Sequence, residues 1–320
     1  MAVPSGKGFS PTQEAWQRGL RCCYSLTGMK TIERSDAASM ADAETTTETT
    51  PPDWPGWTIA TAICLRFWSR LPVPSLPGET DSHALPDFRA VPRALPFAAL
   101  VIALPAAAVT LGAGLAGLGG LVVAVLALTA LALTTGAFHE DGLADSADGL
   151  FGGHTPERRL EIMKDSRIGS YGALALGLSL LLRASLIAMI LDRSGAVAAA
   201  AAVLAAAPWS RAEGLFLLAT QPAARSTGAA ASVGQPTVVT ARIALALSLF
   251  LATGIALAAQ LPVAGLLIGF ALAHGATAVL SRLARRLIGG QTGDILGAAQ
   301  QLAEIVIYLG LALALVWGMR

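Results

Sequence analysis

Between His139 and Gly149 the chain reads His-Glu-Asp-Gly-Leu-Ala-Asp-Ser-Ala-Asp-Gly. Asp141, Asp145 and Asp148 recur at i, i+4 and i+7, so a helix puts all three on one face, with Glu140 about 100° away. Three carboxylates on one face repel one another, and holding them together at a membrane boundary calls for a cation. Donors that are all oxygen suit Mg²⁺. The small residues Gly142, Ala144, Ser146 and Ala147 between the acids leave room for a bulky phosphorylated ligand. The competing reading is a solvated acidic loop paired with nearby arginines.

A second block runs from Glu157 to Gly172. Thr155 followed by Pro156 reads as a helix start, with proline at the first helical position. Lys164 and Arg167, three residues apart, then share a face and are available to phosphate oxygens. The alternative is a basic turn that anchors the chain at the membrane. Metal-binding acids within twenty residues of paired cations make a combination suited to diphosphates, whose charge metal and cations spread together. A third block, Gly289 to Ala298, has glycines and Thr292 that permit a tight turn with N–H groups facing an anion. Asp294 adds a carboxylate there. No Gly-Lys-Ser/Thr follows, so this is not a Walker loop, and a plain connection between spans reads equally well.

The elements that position these blocks are membrane helices. Of 320 residues, 54% are hydrophobic and 13% charged, and the mean hydropathy is +0.61. Soluble domains carry about 25% charged residues, so a water-soluble enzyme is excluded. A net charge of +1 leaves no basic field for nucleic acid. Cys22, Cys23 and Cys64 form no C-x-x-C pair and no disulfide framework.

A span needs about 20 mostly apolar residues, which predicts an all-α polytopic bundle of seven: Pro96–Leu115, Gly119–Phe138, Tyr171–Leu191, Ala196–Leu218, Ala241–Gln260, Val263–Arg282 and Gln301–Trp317. The stretch Ile59–Leu71 is shorter and carries Arg66 and Arg70, which fits an interfacial or re-entrant helix. Residues 1–56 are rich in Ser, Thr, Pro and charge and read as a disordered tail or an over-extended start, with Met29 and Met40 as later starts. Residues 57–320 form one membrane catalytic domain.

With these spans the connections 70–95, 139–170, 219–240 and 283–300 share one side. That side carries Arg89, Arg93, Arg158, Arg159, Lys164, Arg167, Arg225, Arg285 and Arg286, against Arg193 and Arg320 opposite. The positive-inside bias places the rich side in the cytoplasm. Arg183, and Arg211 with Glu213, fall within spans, where ionisable groups face protein or a wet cavity; the latter pair alternatively marks a span that ends at Pro208. His274, in the sixth span, reads as a hydrogen-bonded packing residue.

Together with Phe67-Trp68-Ser69-Arg70-Leu71-Pro72-Val73-Pro74, the three blocks occur in the order found in the cobalamin synthase family, and the chain resembles it from Trp57 to the end. The resemblance implies an adenosylcobinamide-GDP ribazoletransferase at the cytoplasmic face of a bacterial inner membrane. There a ribose hydroxyl of α-ribazole, or of its 5′-phosphate, displaces GMP from adenosylcobinamide-GDP with the help of Mg²⁺. On that reading Asp141, Asp145, Asp148 and Glu140 hold the metal and Lys164 and Arg167 stabilise the leaving phosphate. Arg158, Arg159, Asp165, Gly290, Thr292, Gly293 and Asp294 contact substrate. Partners are the two substrates, the lipid bilayer and other enzymes of cobalamin assembly. The acidic block also resembles that of the CDP-alcohol phosphotransferases, whose second acidic spacing is absent here. A cation transporter is the reading from another class, but coupling acids sit near the midplane of broken helices and no internal repeat is visible.

Overall fold

The computed structural model describes residues 54–79, 87–225 and 234–318; the tail, apart from Trp54 to Gly56, lies outside the described residues. Helices are the only regular elements among them, since apolar runs in a bilayer must satisfy every backbone polar group within the segment. They are α1 Trp57–Trp68, a 3₁₀ turn Val91–Ala94, α2 Leu95–Leu115, α3 Gly120–Thr135, α4 Phe138–Gly152, α5 Pro156–Ile162, α6 Ser170–Thr220, α7 Val238–Ala258, α8 Val263–Ile288 and α9 Gly293–Val316.

Among the described residues five helices are long and apolar enough to cross a membrane, and a sixth is obtained only when α3 and α4 are taken together across their 91° bend. The sequence led to seven, and two local features account for the difference. The expected pair Tyr171–Leu191 and Ala196–Leu218 is joined in α6, which breaks at Gly195 with φ 83° and ψ 174°. Ser179 donates to Gln301 at 3.2 Å, and Gln300 donates to Ser210 at 3.4 Å. Residues on either side of the break thus meet adjacent positions of α9, so α6 is a hairpin with arms 170–194 and 196–220. The other feature is α3, which has 16 residues and stops at Thr135 rather than Phe138.

The second arm runs through Pro208 to Thr220, so Arg211 and Glu213 lie inside the helix and do not mark its end. His274 meets Glu213 at 3.3 Å, so it is hydrogen-bonded as expected, but its side chain is half exposed and not packed within the bundle. Helix α1 has 12 residues, too few to cross, and buries Ala60, Ala62, Cys64 and Leu65. Its Arg66 is drawn into the polar turn by the carbonyls of Val73 and Pro74 and by Glu79 at 3.0 Å.

The core is dominated by alanine, with Ala98, Ala106, Ala199, Ala205, Ala206 and Ala303 nearly or fully buried. Without a hydrophobic drive between helices in lipid, small residues earn close approach and van der Waals contact. Gly310 of α9 lies directly on Gly265 and Gly269 of α8, where a side chain would meet backbone.

Candidate active site

The site begins with the bend after α3. Gly136 (φ 70°) and Ala137 (φ 56°) both take the left-handed conformation, which costs a non-glycine residue roughly 1–2 kcal/mol. The Arg70 side chain packs where a Gly136 side chain would be, and the Arg70 N–H donates to the Thr134 carbonyl at 2.7 Å. The bend turns α4 by 91° from α3 and brings Gly142 to face Asp294 and Gly297 in the first turns of α9.

The acidic block is therefore a helix, as its spacing predicts, but its four acids go to three different places. Asp148 accepts from the N–H groups of Gly169 (2.6 Å) and Gly172 (2.9 Å), so its charge rests on the positive N-terminus of α6. A side chain on Gly172 would fall on this carboxylate. Glu140 is buried and accepts from both terminal nitrogens of Arg183 at 3.2 Å and from Gln301 at 3.1 Å. Arg183 is fully buried and lies 3.9 Å from Glu304, which accepts from Gln300 (2.6 Å) and Tyr308 (3.1 Å). Glu140 thus belongs to an interior network and not with the other acids.

Asp141 and Asp145 remain at the rim together with Asp294. Asp141 is exposed, and Asp145 and Asp294 are partly buried. Burial, reinforced by the charges of Asp141, Asp294 and Asp148, pushes the Asp145 carboxyl up to about 7 against the pull of Arg225. Among the described residues no three His, Cys, Asp or Glu side chains lie close enough together to hold a metal ion. The donor chemistry nevertheless fits Mg²⁺, which keeps several waters and is bound through one or two carboxylates plus substrate phosphates more often than in an all-protein cage. The crowding that raises Asp145 is what a cation would relieve.

Thr155 caps α5 by accepting from the Arg158 N–H at 3.3 Å, with Pro156 at the first position. The helix ends at Ile162, so Lys164 and Arg167 lie beyond it and share no helical face. Lys164 is exposed. The Arg167 side chain is 86% exposed and pairs with Asp165 at 2.6 Å, holding that carboxyl down to about 2. Arg158 pairs with Glu161 on the surface, and Arg159 donates to the Leu150 carbonyl, tying α5 to the end of α4.

The cation that the structure does bring to the acids is Arg225, 3.6 Å from Asp294 and donating to the Leu160 carbonyl at 3.1 Å. The sequence counted it only toward the charge of its face, because nothing near it in the chain pairs with it. Its position comes from a parallel bridge between Ala223 and Gln291, in which Gln291 N–H donates to Pro222 and Ala224 N–H to Gln291, each at 2.8 Å. The same bridge revises the glycine turn. A side chain at Gly290 would strike the Pro222 carbonyl, so this glycine allows backbone packing, and the Gln291 N–H is already committed within the protein. Thr292 accepts from Ile295 N–H as the cap of α9 and donates to Asp294 at 3.2 Å. Gly293 has open space at its Cα.

All the site residues above fall within the match, over residues 60–312, to the family described as cobalamin-5-phosphate synthase. The chain belongs to the cobalamin-5-phosphate synthase family. Similar proteins named adenosylcobinamide-GDP ribazoletransferase include one from Azorhizobium caulinodans, 48% identical over 77% of this chain and 92% of its own length. Others come from a Sinorhizobium species (45%, over 79% and 95%) and from Xanthobacter autotrophicus (45%, over 77% and 92%). No solved structure matches the chain. As a member of the cobalamin-5-phosphate synthase family the chain is a transferase of cobalamin biosynthesis, and its family match takes in both the rim carboxylates and the interior network.

Proposed function

We propose that this chain transfers the adenosylcobinamide phosphate of adenosylcobinamide-GDP to α-ribazole or α-ribazole 5′-phosphate, at the cytoplasmic face of the bacterial inner membrane. A ribose hydroxyl oxygen forms a bond to the cobinamide-bearing phosphorus. The bridging P–O bond breaks, GMP leaves with the bridging oxygen, and a rim carboxylate takes the hydroxyl proton. One or two of the rim carboxylates Asp141, Asp145 and Asp294, together with substrate phosphates, would hold Mg²⁺, which when bound supplies charge neutralisation to the diphosphate. Arg225 faces the same phosphates and stabilises charge that develops on the leaving group. Asp148 keeps α4 in register with α6 through the two N–H groups that it accepts. Lys164 and Arg167 stand on the exposed turn between α5 and α6, where they meet the nucleotide as it enters and leaves. Other enzymes of cobalamin assembly would reach the chain at this face.

The observation that carries the reading is the meeting of three carboxylates and one arginine at the polar end of a chain of this family. Purified protein in detergent, given both substrates, should release GMP only with a divalent cation and stop when the cation is chelated. No release under any cation would sink it.

A further inference from the structure

The outer face of α8 changes character along its length. Leu272, Gly275, Val279, Arg282 and Arg286 recur at i, i+3, i+7, i+10 and i+14, which is one face of a helix, and all five are exposed. The first three are apolar or bare. Leu272 is 42% and Val279 63% exposed, and a side chain added at Gly275 would meet nothing within 4 Å, so the stripe dips between them. The last two are cations, joined by the exposed Arg285. Among the described residues no side chain pairs with any of these three guanidinium groups.

Beside the cationic end, between α8 and the second arm of α6, opens a cavity of about 170 Å³ whose wall includes Thr220, Gln221, Ser281 and Arg282. That is room for a group of several heavy atoms, against the about 10–15 Å³ that one water needs. The one carboxylate of the wall, Glu213, is 1% exposed and is taken up by Thr277 at 2.8 Å and His274 at 3.3 Å. His274 lies eight residues from Arg282, about 12 Å along the axis, so this charge stays at the far end of the cavity. A positive-inside bias accounts for cations at one end of a span. It gives no reason for hydroxyls in a cavity beside them, nor for an open apolar stripe leading up to them.

We propose that this face of α8 binds an anionic phospholipid with a polyol headgroup. The acyl chain lies along Leu272, Gly275 and Val279, and the phosphodiester meets Arg282 and Arg286, whose charge is complementary. The headgroup hydroxyls enter the cavity toward Thr220, Gln221 and Ser281. Basic pockets between membrane helices suit such headgroups. A choline headgroup fits less well, because its ammonium would stand among arginines and has no hydrogen to donate.

The test uses the full purified chain in an uncharged detergent, with bound lipid counted by native mass spectrometry. Dioctanoyl phosphatidylglycerol should bind at least about tenfold more tightly than dioctanoyl phosphatidylcholine. Arg282→Gln combined with Arg286→Gln should weaken the glycerol lipid at least about tenfold, and Gly275→Phe, which fills the dip, about fivefold. Arg193→Gln removes an exposed cation at the tip of the α6 hairpin and should leave binding unchanged. The deacylated headgroup, glycerophosphoglycerol, should not displace the lipid at equal concentration. Equal binding of the two lipids, an equal loss in Arg193→Gln, or displacement by the deacylated headgroup overturns the proposal, the last by showing a site for free phosphate. If the double variant does not fold, the lipid comparison and the displacement on the parent chain decide by themselves.

Discussion

Two polar clusters lie within one helical turn of each other on α4, and they are built on opposite principles. In the interior cluster Glu140 and Glu304 face Arg183, and Gln300, Gln301 and Tyr308 add further hydrogen bonds, while Glu140 Oε2 and Arg183 Nε have no hydrogen-bond partner among the described residues. At the rim Asp141, Asp145 and Asp294 face, among the described residues, the single cation Arg225. The first is nearly closed on itself, as a buried ionic group must be if it is not to destabilise the fold. The second carries surplus negative charge that the protein leaves uncompensated. A cluster that pairs most of its own groups holds helices together, whereas one that leaves its charges open is arranged for something that arrives.

The largest effects should separate the clusters by what is lost. Removing Arg183 takes the ion-pair partner from two buried carboxylates, leaving Glu140 with Gln301 and Glu304 with Gln300 and Tyr308, a penalty of about 3–5 kcal/mol. Arg183→Leu should therefore lower the amount of folded protein in the membrane, read by size exclusion and thermal melting in detergent. Asp145→Asn should do the reverse, lowering GMP release by at least about 10² while the folded amount is unchanged. Equal losses of folded protein in both would erase the distinction.

Next in size is the contrast among cations. Arg225→Gln should lower kcat by about 10², whereas Arg167→Gln, at an exposed pair, should change it by no more than about tenfold. Initial rates at saturating substrates decide between them. The reverse order would move the phosphate contact to the turn after α5.

This contrast also shows what the sequence can carry. The i, i+4, i+7 spacing of Asp141, Asp145 and Asp148 and the Thr155-Pro156 start are local patterns, and both appear as helices where expected. Glu140 meeting Arg183, Asp148 meeting Gly169, and Arg225 meeting Asp294 are pairings between distant segments, set by the α6 hairpin and by the backbone bridge at Gln291. No spacing encodes them. The bend at Gly136 and Ala137 was equally hidden, because Ala137 is an ordinary helix former held left-handed by its surroundings. Lys164 and Arg167 were expected on one helical face, and the end of α5 at Ile162 leaves that face unformed.

A smaller effect concerns pH. The Asp145 carboxyl is raised to about 7, so the folded state holds its proton more tightly than the unfolded chain. Without divalent cation, stability should be greatest below the ordinary carboxylate range and fall as pH rises toward about 7. Melting temperatures at pH 5 and pH 8 should differ in that direction, and Mg²⁺ should raise the value at pH 8 more than at pH 5. A difference of opposite sign would remove Asp145 from the crowded cluster. The smallest effect is at the bend, where Ala137→Gly relieves the left-handed strain and should stabilise the protein by up to about 1 kcal/mol, with activity unchanged. A loss of activity there would show that the alanine side chain itself serves the site.

The two N–H groups that Asp148 accepts clamp both ends of the segment from Gly149 to Ile168. Once a loop is closed at its base, added length costs little, since each doubling adds only about 0.6 kcal/mol of closure entropy. A change of length in the exposed turn from Lys164 to Ile168 therefore leaves the acid helix in place and acts through the way Lys164 and Arg167 are presented to the nucleotide.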